Sequence, residues 1–134
     1  MIQRFVVVFC ALVLVSLTGA SASAGEGGGK APVPSSIVLH QSNPYLGEWI
    51  DFVTTYPGTV KNPRVIVNCY QNDALVWGEV GLVTDSFKLG GDSSPWVEIG
   101  GPASCYADLE NLIWHGHNMQ EWDWLAGADF EVTG

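Results

Sequence analysis

Two cysteines, each set in a run where every second residue is apolar, constrain this chain more than anything else in it. In Ala103-Ser104-Cys105-Tyr106-Ala107-Asp108-Leu109, the residues Cys105, Ala107 and Leu109 alternate with polar neighbours such as Ser104 and Asp108, the period-2 signature of a strand with one buried face. Cys69 lies in Val65-Ile66-Val67-Asn68-Cys69, where Val65, Val67 and Cys69 share a face. If those two faces meet, two long strands are fastened together inside a small β core.

Whether the cysteines oxidise depends on the compartment. Met1-Ile2-Gln3-Arg4 is a short positive n-region, Phe5 to Leu17 is an almost unbroken apolar run, and Ala22-Ser23-Ala24 has the A-x-A form of a cleavage site, which together read as a signal peptide over residues 1–24. A membrane anchor is the weaker reading, because a span needs about 20 apolar residues and this run breaks into Ser, Thr, Gly and Ala. Cys10 lies within the apolar run after bulky Phe9, a poor setting for lipidation, and leaves with the leader. The expectation is a secreted, extracellular chain with no stable membrane insertion.

Cleavage leaves about 110 residues, one domain's worth. Two cysteines remain, and an even number in an oxidising setting makes one Cys69–Cys105 disulfide the default, with two free buried thiols as the alternative. The formal charge of the whole chain is −9, and losing Arg4 with the leader makes it more negative. So acidic a surface repels phosphate backbones, which argues against nucleic acid and leaves cationic partners or calcium open.

Residues 25–35 are Gly- and Pro-rich without an apolar period and read as a flexible linker. The body, residues 36–134, then carries a series of short strands. Ile37 to His40 is an edge candidate closed by Asn43-Pro44. Trp49 to Tyr56 alternates, with Ile50, Phe52, Thr54 and Tyr56 on one face and Trp49, Asp51, Val53 and Thr55 on the other. Arg64 to Gln71 bears Cys69, and Asn72-Asp73 turns the chain tightly into Ala74 to Val80. Asp85 to Leu89 puts Phe87 and Leu89 on one side, Gly90 to Pro95 is a loop, and Trp96 to Ile99 reads as another short strand. Asp108 to Trp114 continues the Cys105 strand. From Trp122 through Trp124, Ala126, Ala128, Phe130 and Val132 the even positions are all apolar, with a break at Gly127 suggesting a bulge. Seven or eight strands with no convincing helix predict an all-β, antiparallel β-sandwich.

Four segments, Gly47 to Phe52, Val67 to Gln71, Gly101 to Leu109 and Trp124 to Val132, resemble the small exported immunoglobulin-like proteins of actinobacteria and their phages. The resemblance runs over about residues 36–132. It implies an immunoglobulin-like sandwich with an unassigned extracellular role and transfers no catalytic residues. Antibody-type domains differ in having a longer cysteine spacing and a tyrosine where Ala103 stands. Counting strands without the short Trp96–Ile99 run puts Cys69 on the third and Cys105 on the sixth, neighbours within one sheet of that topology, so the disulfide is expected within a sheet.

Candidate chemistry is sparse. Gly91-Asp92-Ser93 resembles a serine-nucleophile context and His40, His115 or His117 could supply a base, but the run is also ordinary turn chemistry and a chain of this size leaves little room for a substrate cleft. The reading is non-catalytic, with no cofactor. His115 and His117, with Glu121 and Asp123 nearby, are weak metal candidates, since two histidines alone fall short of a site and a polar loop explains them equally. Asp92, Asp108, Glu110 and Asp123 do not have a calcium-loop spacing. The six tryptophans stand out. Trp49 and Trp96 fall out of phase with the inward residues and are the candidate ligand-binding positions, whereas Trp122 and Trp124 are expected in the core. Two function classes follow: a secreted binding module for an extracellular protein or glycan, or a structural accessory protein decorating a cell envelope or phage particle.

Overall fold

In the computed structural model, which describes residues 31–134, the alternating runs are antiparallel strands and the fold is all-β. The expected leader and residues 25–30 of the linker lie outside the described residues. Eight strands occur among the described residues: β1 (Ser36–Leu39), β2 (Trp49–Ile50), β3 (Phe52–Thr55), β4 (Pro63–Gln71), β5 (Ala74–Leu82), β6 (Phe87–Lys88), β7 (Ala103–His115) and β8 (Met119–Val132), with one short helix, α1 (Pro95–Ile99), before β7.

The long strands form one four-stranded sheet in the order β5-β4-β7-β8. β1 pairs with β3, and β2 with β6, as two-stranded sheets. Side chains from all three sheets share one core: Ile37, Ile50, Phe52 and Phe87 from the short strands meet Val65, Val67, Cys69, Cys105, Ala107 and Leu109 from the long ones. Phe52 stands edge-on to both Phe87 and Phe130, at centroid separations of 5.9 and 6.0 Å, an arrangement aromatic rings favour. Layers that bury one face each against a common core are consistent with a β-sandwich.

Local chemistry explains the connections. Asn72 and Asp73 both have positive φ, 48° and 65°, as a two-residue hairpin turn requires, and they join β4 to β5 as the sequence predicts. The alternation of Trp49 to Tyr56 holds in burial, with Ile50 and Phe52 buried and Trp49, Val53 and Thr55 exposed, but the run is not one strand: it breaks at Asp51, β2 pairing with β6 and β3 with β1.

Cys69 and Cys105 form a disulfide with Cα atoms 4.1 Å apart. They sit directly opposite each other on β4 and β7, so the bond lies within a sheet, as the strand count anticipates, and both residues are buried.

Two further expectations of secondary structure fail. Trp96 to Ile99 is helical rather than extended: Ser94 caps the helix, its side chain accepting from the Val97 amide, Pro95 occupies the first turn, and Gly100 ends it at φ 70°. These are standard helix-start and helix-stop residues. The irregularity in β8 lies not at Gly127 but two residues earlier. Leu109 pairs with Ala126 and Glu110 with Trp124, leaving Leu125 as the extra residue of a bulge.

Candidate interaction surface

The bulge decides where the tryptophans go. One inserted residue reverses the phase of everything beyond it. Ala126, Ala128, Phe130 and Val132 oppose the inward residues Leu109, Ala107, Cys105 and Ala103, whereas Trp124 and Trp122 oppose Glu110 and Leu112 on the outer face. Trp122 and Trp124 are therefore surface residues, 40% and 62% exposed, and not the core residues expected from unbroken alternation. Trp114, 53% exposed, pairs with Gln120 and joins the same face.

Trp96 is corrected in the opposite direction. It is fully buried, and its indole Nε1 donates to the Gly101 carbonyl at 2.8 Å, so it anchors α1 to the core and is unavailable to a ligand. Trp49, the other candidate, is 61% exposed on β2, in register with Lys88. It shares its strand face with Asp51 and Val53, far along the sequence from the other exposed tryptophans, and the Lys88 ammonium is committed to Asp92 at 2.6 Å. That contact and charge hold the Asp92 carboxyl below the usual range.

The outer face of the four-stranded sheet can be read row by row from its register. Leu75, Tyr70 and Ser104 lie across β5, β4 and β7, with Glu131 following on β8; Gly78, Asn68, Tyr106 and Asp129 come next, then Val80, Ile66, Asp108 and Gly127, then Leu82, Arg64, Glu110 and Trp124. Leu75, Val80, Leu82 and Tyr106 are exposed, and Tyr70 and Tyr106 meet edge-on at 5.9 Å. Beyond the last row, β7 and β8 continue as a two-stranded ribbon carrying Leu112, Trp114 and Trp122.

Trp124 is held in place. Its Nε1 donates to Asp108 Oδ1 at 3.0 Å, and its ring passes above Gly127, where a Cβ would stand 3.5 Å from the ring and 3.1 Å from Asp108 Oδ1. An exposed indole already fixed in one orientation loses little freedom on binding. Beside it, partial burial pushes the Glu110 carboxyl above the usual carboxylate range, with Asp108 and Asp123 adding like-charge repulsion. Arg64 faces Glu110 in register, but its Nη1 donates to the Pro63 carbonyl, and among the described residues no Lys or Arg forms an ion pair with Asp108, Glu110 or Asp123.

Shallow depressions flank the face. One of about 400 Å³ is lined by Tyr70, Asn72, Asp73, Ser104 and Tyr106. Another of about 410 Å³ lies beside Trp114, lined also by Lys61, Asn62, Asn111, Leu112 and Ile113.

The histidines are dispersed. His40 Nδ1 lies 2.9 Å from Asp51 Oδ1, and His115 Nε2 lies 2.6 Å from Glu121 Oε2 near the ribbon tip. His117 sits in the turn after Gly116, and no group of three or more potential ligands is assembled among the described residues. Gly91-Asp92-Ser93 falls in a turn preceding α1, with Asp92 bound to Lys88.

Sequence reading missed Trp114, Trp122, Trp124 and Tyr106 as a surface set. The available signal was Trp124-Leu125-Ala126, three apolar residues in succession where strict alternation permits none, which marks the phase change. Set against known proteins, the chain matches no family model, no curated protein and no solved structure.

Proposed function

We propose that this chain is a secreted, non-catalytic interaction module with an immunoglobulin-like body, binding an extracellular protein or glycan through the outer face of its four-stranded sheet. The observation that carries this reading is the row of Trp114, Trp122 and Trp124 exposed on one face, with Trp124 pinned to Asp108. Large rings left in water on a rigid sheet are what binding faces use, because each contributes much apolar area at small entropic cost.

Topology supports the immunoglobulin-like body. The first strand pairs antiparallel with β3, and the chain then crosses over so that Tyr45 bridges Thr133 in parallel, with the Leu46 amide donating to the Thr133 carbonyl. A first segment shared between two layers, over a sheet ordered β5-β4-β7-β8, suits that architecture. The n-h-c pattern of residues 1–24 supports export, and a buried disulfide is compatible with it.

The test is comparative. Wild-type protein and the variants Trp122→Ala/Trp124→Ala and Trp49→Ala are used to capture ligands from culture medium and envelope extracts. A ligand held by wild type and by Trp49→Ala but lost by the double variant is the expected result; equal retention by all three rejects the face as the binding surface. Mass spectrometry of protein from the medium should show a mature N-terminus after Ala24.

A further inference from the structure

We propose that the outer face of the four-stranded sheet docks a cationic protein surface, whose arginine or lysine side chains lie over Trp122 and Trp124 and against Glu110 and Asp108. The proposal deepens the reading of that face as the interaction surface and rests on it.

The argument is one of charge complementarity. Register places four carboxylates on this face, Asp108, Glu110, Asp129 and Glu131, against Arg64, with Lys61 at its margin in the depression beside Trp114. Of the four, Asp108 accepts from the Trp124 indole and Glu131 from the Ser104 hydroxyl, contacts that leave their charges in place. Any partner covering Trp124 also strips water from Glu110, already partly buried beside Asp108. A neutral partner, such as an uncharged glycan, would deepen that desolvation without compensation, and burying an unpaired charge is costly. A second copy of this chain would bring the same carboxylates against themselves. A guanidinium answers both needs, because it pairs with a carboxylate through its fork of donors and stacks on an indole face with its plane. The exposed aliphatic flank, Leu75, Val80 and Leu82 on β5, would accept the apolar stems of such side chains or their aliphatic neighbours.

The experiment measures binding of the purified chain to three synthetic peptides of equal length, alternating leucine with arginine, glutamate or serine, and to a neutral oligosaccharide of N-acetylglucosamine. Calorimetry and tryptophan fluorescence at about 0.15 M salt keep exposed long-range attraction screened. The arginine peptide should bind most tightly. Asp108→Asn/Glu110→Gln should weaken it about tenfold or more, as loss of close charge pairs does, and Trp122→Ala/Trp124→Ala should weaken it likewise. The charge-matched control Glu79→Gln/Glu98→Gln, at exposed positions off this face, should change it less than about threefold. All variants alter exposed or partly exposed side chains, and circular dichroism verifies their fold. Equal weakening by both charge variants would overturn the proposal, since the attraction would then be only the chain's net charge. Failure of the arginine peptide to bind overturns it too. If the serine peptide or the oligosaccharide binds best, and loses binding only with the tryptophan variant, the cationic partner is rejected while the face stands. If the tryptophan variant affects no probe that binds, the face itself is rejected.

Discussion

At the residue scale the six tryptophans divide by environment, and the division can be measured. Trp96 fills the core and satisfies its Nε1 on Gly101, so Trp96→Ala should cost about 3–5 kcal/mol in denaturant unfolding, the range for emptying a large buried aromatic site. Trp49→Ala should stay within about 0.5 kcal/mol of wild type, as an exposed substitution does. Replacing the Cys69–Cys105 pair by alanines should remove about 4 kcal/mol, the loop-closure value for a separation of 36 residues. That loss is a large fraction of what a domain of this size possesses. Glu110 supplies a pH signature. A carboxyl raised in the folded state takes up a proton more readily there than in the unfolded chain, so its contribution is fully present at low pH and lost as pH rises through the raised value. Thermal melts of Glu110→Gln and wild type should therefore nearly coincide at pH 3. At pH 7 the variant should melt higher, by no more than about 2 °C because the group is largely solvated.

At the element scale, strands with one clean buried face were legible from the sequence and interruptions of that pattern were not. Val65, Val67 and Cys69, and Cys105, Ala107 and Leu109, announce their faces because their neighbours on the other side are mostly polar or half-buried. In β8 both phases are apolar around Leu125, so alternation carries Trp122 and Trp124 to the wrong side unless the bulge is recognised. Helix α1 is too short for a helical period to show. Its evidence lay only in its ends, Ser94-Pro95 and Gly100-Gly101. The edge strand β5 carries a further consequence. Glu79 pairs with buried Val67, in the inward phase, yet is itself exposed. A carboxylate on the inward side of an edge strand discourages a second sheet from adding there. Glu79→Val should therefore produce concentration-dependent self-association in sedimentation velocity, where wild type remains at a single species over the same range.

At the scale of the whole molecule, the disulfide and the layering set how the fold comes apart. Cys69–Cys105 joins neighbouring strands of one sheet, so the sheets of short strands are held to the four-stranded sheet by side-chain packing and by the bridge from Pro44–Leu46 to Thr133. Stretched from its two ends, the chain should yield in the segments before Cys69 and after Cys105, and the link between β4 and β7 should withhold the segment between its sulfurs from extension. Single-molecule force spectroscopy would read that as a contour about 120 Å shorter in the oxidised protein than in the reduced one, given 36 residues at an extended spacing of about 3.3–3.6 Å each. A covalent link placed this way makes the molecule a shock absorber with a fixed stop: strands outside the loop, β8 and its indoles among them, are drawn out under load, while the span between the sulfurs keeps its length.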